Sequence, residues 1–316
     1  MENNKRILRS SGSASKVLTS FPPSSMSNLD QPVNFISVEK SPSPNVDEKI
    51  KLIPSSSNLR GLDRSEVILL RKKQSRLIAT DLSTLKYLPS GTHISNSLKS
   101  TLIFAQYEAG TAICIDPTGW ILTCSHCVGE TEEEYRKNPR RWLLYYTGLA
   151  IEVECRVWDQ KRDLALLKVI TIEVDDNNFD NTIPQFSFVN LATQSPEDNT
   201  QIICIGQPGS DDLESSGSRK TRYNLIEVSE GLFRGMMSGK DPQDNGEIGT
   251  LKHDAWTYWG HSGAPLLRDD DGLLIGLHSS WDDQTGMRHG IPVVAIRIFL
   301  EEHLPGAECL KGAETI

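Results

Sequence analysis

Beyond residue 95 the chain is a succession of short apolar runs, each stopped by a turn signal before it could grow into a helix. Thr101-Leu-Ile-Phe-Ala, Ala112-Ile-Cys-Ile and Trp120-Ile-Leu-Thr are rich in β-branched and aromatic side chains. Such residues suit a pleated, half-buried surface. The stretches 143–146, 151–157, 163–169, 201–205, 223–228, 273–278 and 290–296 continue the series. Asp116-Pro-Thr-Gly119, Gln207-Pro-Gly209 and Asp269-Asp-Asp-Gly272 punctuate it with turn residues. An amphipathic helical window emerges only at 294–304. Many strands without alternating helices predict an all-β barrel or sandwich.

The first 60 residues have a different texture. About one third are Ser or Pro, with runs such as Pro22-Pro-Ser-Ser25 and Ser41-Pro-Ser-Pro44. That composition cannot bury enough apolar surface to offset chain entropy, so a disordered arm is expected. Residues 1–80 hold 13 Lys and Arg against 7 Asp and Glu, a net +6, which leaves −15 for the remainder of a chain of net charge −9. A basic tail on an acidic body follows. Arg71-Lys72-Lys73 could contact nucleic acid or a nuclear importer, yet no zinc-finger, RRM-like or helix-turn-helix pattern accompanies it, so nucleic-acid binding is not expected. No stretch approaches the ~18 apolar residues of a spanning helix, and Met1-Glu-Asn-Asn-Lys-Arg6 lacks the apolar run of a secretory signal. Six cysteines are too few for a disulfide scaffold in a chain of this length. The expected location is the cytoplasm or the nucleus, with no membrane partner.

Three separated segments carry chemistry. A histidine ends an apolar run in Gly119-Trp-Ile-Leu-Thr-Cys-Ser-His126. An aspartate opens another in Asp163-Leu-Ala-Leu-Leu-Lys168. A serine sits between glycines in Gly260-His-Ser262-Gly263. Taken singly, each could be structural: a strand-end histidine, a turn aspartate, a tight turn. Together they suit acyl transfer. A serine hydroxyl needs an imidazole to take its proton, and the imidazole needs a carboxylate to fix its tautomer. The developing oxyanion needs preorganised backbone donors, which Gly260 and Ser262 could supply. Cys124-Ser-His-Cys127 invites a metal reading, but no second Cys-x-x-Cys matches it, so neither metal nor cofactor is expected.

In the order His126, Asp163, Ser262 the chain resembles the trypsin/chymotrypsin-like serine peptidases, most closely their HtrA/Deg-like branch. The matching stretches are Gly110-Thr-Ala-Ile-Cys-Ile-Asp-Pro-Thr-Gly-Trp-Ile-Leu-Thr-Cys-Ser-His126, Asp163-Leu-Ala-Leu-Leu-Lys-Val169, Ile205-Gly-Gln-Pro-Gly209 and Asp254-Ala-Trp-Thr-Tyr-Trp-Gly-His-Ser262-Gly-Ala-Pro-Leu266. Gly272-Leu-Leu-Ile-Gly-Leu-His-Ser279 and Gly290-Ile-Pro-Val293 follow in the family's order. The resemblance implies two antiparallel six-stranded barrels with the site between them, a short C-terminal helix, and a serine endopeptidase acting on proteins or peptides through an acyl-enzyme. The implied organisation is an arm over 1–90, a peptidase domain over 91–306 and a tail over 307–316. The 24 residues after Pro292 suit a terminal helix rather than the PDZ module common in HtrA-like enzymes. Thr111 stands where secreted relatives carry the partner of Cys127, so that bridge is not expected. His261 replaces the usual Asp or Asn before the nucleophile, which leaves open an inert binding or scaffold protein on the same fold. No oligomeric state is implied.

For the first specificity pocket, Thr257 and His278 resemble the donors of bacterial glutamyl endopeptidases and of viral proteases that cut after glutamine. A hydroxyl and an imidazole N–H can both bond a side-chain carbonyl or carboxylate, so cleavage after Glu or Gln is expected, with Glu favoured further in mild acid if His278 titrates normally. Ser279 stands where the family often bonds the catalytic aspartate. Trp256, Trp259 and Trp281 could wall the cleft, although core packing explains these aromatics equally well, and His253 receives no role.

Overall fold

The computed structural model describes residues 49–80, 93–107, 109–175, 185–212 and 217–311. The expectations for 1–48, 81–92 and 312–316 lie outside the described residues.

Six antiparallel strands close the first barrel. They are β2 (Thr101–Phe104), β3 (Thr111–Asp116), β4 (Trp120–Cys124), β5 (Arg140–Tyr145), β6 (Ala150–Asp159) and β7 (Leu164–Val174). The order runs β7-β4-β3-β2-β5-β6 and returns to β7. The second closed barrel has the order β10-β13-β12-β11-β8-β9. It is built from β8 (Gln201–Gly206), β9 (Glu227–Met236), β10 (Leu251–His253), β11 (Pro265–Arg268), β12 (Leu274–Trp281) and β13 (Arg288–Pro292). Helix α4 (Val293–His303) follows at once, and the four-residue α5 (Glu308–Lys311) occupies part of the expected tail. Two six-stranded barrels are the architecture the resemblance implies.

Alternation explains why the 163–169 run reads as continuously apolar. Along β7, Ala165, Leu167 and Val169 point into the first barrel with Leu102, Cys114, Ile121 and Val153. Leu164 and Leu166 point out of it, into a second core shared with Leu266, Leu277 and Ile291 of the other barrel. A strand buried on both faces has no polar phase. Each of these side chains is fully buried, and burying a Leu, Ile or Val contributes about 1.5–3 kcal/mol.

The folded body begins before residue 91, which corrects the expected arm. Strand β1 (Lys51–Pro54) lies parallel to β7, with Lys51 opposite Thr171 and Pro54 opposite Val174. Helix α1 (Arg64–Ala79) starts at a capping box: Asp63 accepts from the Ser65 and Glu66 N–H groups, and the Glu66 side chain accepts from the Asp63 N–H. Leu70, Lys73 and Leu77 form its buried stripe. Arg71 pairs with Glu173 at 2.6 Å, and Lys73 donates to the Phe104 carbonyl at 2.6 Å. Two of the three residues read as a basic patch are therefore spent on holding α1 to the first barrel. Two further helices, α2 (His93–Ser100) and α3 (Glu132–Lys137), flank that barrel.

Strand positions shift in two places. The run 223–228 was expected to be a strand, but Asn224 donates from its main chain and its amide to the Glu227 carboxylate, 2.8 and 3.0 Å, and that turn delays β9 to Glu227. The run 290–296 divides at Pro292, whose extended backbone (ψ 154°) caps α4.

Candidate active site

His126 is held in a 3₁₀ turn (Ser125–Cys127) that leaves the end of β4. Asp163 sits one residue before β7, and β4 and β7 pair Cys124 with Leu164. The two chain ends thus meet side by side. Asp163 takes a left-handed backbone, φ 55°, a conformation that aspartate tolerates better than most side chains. Its carboxylate collects three donors from the turn. Ser125 Oγ lies 2.9 Å from Oδ1, the His126 main-chain N–H 3.2 Å from Oδ1, and His126 Nδ1 2.9 Å from each oxygen. Trp158 Nε1 donates to the Ser125 and Gly129 carbonyls and braces the turn from β6. With Nδ1 bound to a carboxylate, the proton sits on Nδ1 and Nε2 is left as the base.

Burial alone would lower the His126 pKa. The Asp163 carboxylate, a thiolate at Cys127 and the hydrogen bonds to both overcome that and raise it well above its ordinary value. The Cys127 thiol is pulled down to about 6 by its hydrogen bond to Cys124 and by the His126 charge, against burial. Cys124, fully buried, is pushed well up and donates to the His278 carbonyl at 3.4 Å. All six cysteines are free thiols. Cys124, His126 and Asp163 place one donor atom each within 4.8 Å of one another. His126 Nδ1 and the Asp163 oxygens engage one another and Cys124 donates to the His278 carbonyl, an arrangement suited to proton transfer.

Ser262 comes from the loop before β11 in the second barrel, and the two barrels meet at this loop. Thr111 N–H donates to the Ser262 carbonyl at 3.0 Å, Thr111 Oγ1 to the Gly260 carbonyl at 3.2 Å, and Gly263 N–H to the His278 carbonyl at 2.8 Å. The glycines are required by space. At Gly260, φ 104°, a Cβ would lie 2.1 Å from Ala109 Cβ; at Gly263, φ 82°, it would lie 2.1 Å from the Thr111 carbonyl oxygen. Neither the Gly260 N–H nor the Ser262 N–H donates to an acceptor among the described residues. The Ser262 hydroxyl donates to the Ser279 carbonyl at 3.4 Å rather than to His126. Even so, Ser262, Gly260, His126 and Asp163 all line one cleft.

His261 turns away from that cleft. It is fully buried under β8, where a Cβ at Gly206 would lie 2.5 Å from its ring. Its Nδ1 is 3.1 Å from both the N–H and the carbonyl of Tyr258, and burial lowers its pKa to about 4. A neutral ring in the barrel wall leaves the cleft side of the loop to Gly260 and Ser262.

Thr257, His278, Ser279 and Trp281 line the same cleft, together with Trp259. Trp259 and Trp281 meet edge to face at 5.6 Å, whereas Trp256 stacks on Tyr258 outside the lining. Ser279 does not reach Asp163: its hydroxyl bonds Ser280 Oγ at 3.2 Å, and Ser125 bonds the aspartate instead. His253 gains a role. Its Nε2 lies 3.0 Å from His278 Nδ1, and its own Nδ1 is buried without a partner. An orphaned buried N–H is rarer than an orphaned acceptor. Protonating Nε2 leaves His253 Nδ1 a bare acceptor, lets His278 Nδ1 accept, and leaves the His278 Nε2–H pointing to the cleft. Burial, then His253, His261 and Arg288, hold His278 well below its ordinary pKa, so the structure does not support the expected charging of His278 in mild acid. Sequence reasoning missed Ser125, His253 and Arg288, whose roles come from contacts between residues far apart in the chain.

No curated protein matches the sequence. The chain is similar in structure to the crystal structure of Deg5, over 66% of this chain and 92% of that one, at 18% identity and a TM-score of 0.47. The family model described as the trypsin-like peptidase domain matches residues 110–277, the span that carries His126, Asp163 and Ser262, and the chain belongs to that family.

Proposed function

We propose that this protein is a serine endopeptidase. The observation that carries the reading is His126 Nδ1 held 2.9 Å from both Asp163 oxygens, in a cleft shared with Ser262 and two unused main-chain N–H groups. A turn about the Ser262 Cα–Cβ bond moves the hydroxyl from the Ser279 carbonyl toward His126 Nε2, a shift between staggered rotamers. Ser262 Oγ then attacks the scissile carbonyl carbon while its proton passes to Nε2. The Gly260 and Ser262 N–H groups receive the oxyanion. The proton goes on to the leaving amine as the C–N bond breaks, and water resolves the acyl-enzyme by the same steps in reverse.

Thr257 Oγ1 and His278 Nε2 form the recognition end of the cleft. Both are neutral donors, and a pocket built on them favours Glu or Gln before the scissile bond, since an apolar side chain leaves them unpaired. The test is mass-spectrometric mapping of cuts in a diverse peptide mixture. Cuts after Glu or Gln that vanish with Ser262→Ala are expected. Cuts after other residues would discard the pocket.

The second reading, an inert binding protein on this fold, draws on the Ser262 hydroxyl resting on Ser279 instead of His126. It requires that no substrate or acylating probe ever turn that hydroxyl.

A further inference from the structure

Arg288 opens β13 at the back of the recognition end. In the ladders it stands opposite Trp281 of β12 and His253 of β10. Its Nε donates to Thr257 Oγ1 at 3.1 Å. The side chain is half-buried, and no carboxylate among the described residues comes within ion-pair distance of it. Three arginines of this barrel contrast with it: Arg234 pairs with Asp254 at 2.5 Å, Arg219 with Asp212 at 3.7 Å and Arg268 with Asp270 at 3.1 Å. A partly desolvated guanidinium with no internal counter-ion is the arrangement expected where the negative charge arrives with a ligand.

At the recognition end, away from His126, that charge is left to Arg288. His278, His253 and His261 form a buried, neutral row, with His253 and His278 in direct contact. Thr257, accepting from Arg288, has its own hydroxyl proton free for the cleft that it lines. Two neutral donors treat a carboxamide oxygen and a carboxylate oxygen nearly alike. A fixed cation behind one of them does not. Glu247 also lines the cleft, but it is exposed to solvent, where water and salt screen its opposing charge.

We propose that Arg288 makes the cleft select glutamate over glutamine, acting through Thr257 as a positioning residue and as the fixed positive charge of the pocket. The inference rests on the Glu-or-Gln pocket proposed above and narrows it to an acidic side chain.

The experiment measures kcat/KM of the full chain on two peptides that differ only in Glu or Gln before the scissile bond. Wild type, Arg288→Gln and Arg288→Lys are run side by side. Wild type should favour the Glu peptide by roughly tenfold or more. Arg288→Gln should bring the ratio close to one by losing activity on the Glu peptide alone, and Arg288→Lys, which keeps the charge, should keep most of the preference. A ratio unchanged in Arg288→Gln, or equal losses on both peptides, would overturn the proposal and mark Arg288 as structural. If Arg288→Gln does not fold, as judged by loss of fluorophosphonate labelling at Ser262, the lysine variant decides: a folded Arg288→Lys without Glu preference contradicts the role of charge. A wild type that cuts neither peptide but cuts others refutes the underlying pocket, a failure distinct from a wild type that cuts both peptides equally.

Discussion

His126 stands between a carboxylate and an acidified thiol. Asp163 is expected of the arrangement; Cys127 is a free thiol here, drawn down to about 6 by its hydrogen bond to Cys124 and by the imidazole beside it. Each neighbour favours the imidazolium, so each keeps the base protonated to higher pH. The sign is then set. Cys127→Ala removes one source of the rise, the His126 pKa falls, and the acid limb of a kcat/KM profile moves to lower pH. A limb that stays in place or moves upward would show that the thiol does not act on the base. Ser125 completes the residue picture. It was invisible as a functional residue in sequence because a serine beside a histidine carries no signal, and only the pairing of β4 with β7 brings its hydroxyl to Asp163.

At the scale of elements, what could be read in sequence was whatever the strand period and the local motifs carry. The short β-branched runs marked β2, β3 and β4, and the Gly-flanked Ser262 marked the nucleophile loop. The row of His253 and His278 was not legible, because it depends on β10 and β12 each pairing with β13, a register no local pattern encodes. Helix α1 was missed for another reason. Its polar, basic composition follows a Ser/Pro-rich stretch and reads as a solvated linker. Its attachment is a narrow stripe of Leu70, Lys73 and Leu77, with the Lys73 bond to the Phe104 carbonyl and one ion pair from Arg71 to Glu173. If α1 is part of the folded body, Leu70→Ala, at a side chain with no exposed surface, should cost about 2–5 kcal/mol. Ile68→Ala, at a residue 60% exposed, should stay within about 0.5 kcal/mol. Thermal or denaturant unfolding separates the two, and equal, negligible effects would detach α1 from the cooperative unit.

Across the whole molecule, the second barrel stores four buried histidines, His253, His261, His278 and His289, and burial lowers the last of them as well. Burial lowers His253 to about 3 and His261 to about 4, and lowers His278 in the same direction. In the unfolded chain each titrates near 6.5. Between that value and the folded ones, the unfolded state binds more protons, so stability falls as pH falls. The slope approaches about 1.4 kcal/mol per pH unit for each histidine. His126 does not offset this: with its folded pKa raised, its contribution is fully present below 6.5 and is lost only as pH rises through the folded value. The melting temperature should therefore decline steadily from pH 6.5 to pH 4.5. A flat melting temperature over that range would mean that the row is solvated or already charged.

The central claim is that Ser262 is an activated nucleophile, and covalent labelling by a fluorophosphonate tests it most directly. Wild type should be labelled at Ser262, identified by mass spectrometry, and Ser262→Ala should not be labelled. Asp163→Asn should label far more slowly, because the asparagine no longer fixes the His126 tautomer. Labelling that is absent in a folded wild type, or that proceeds equally in Asp163→Asn, would contradict the account and leave the inert binding protein standing.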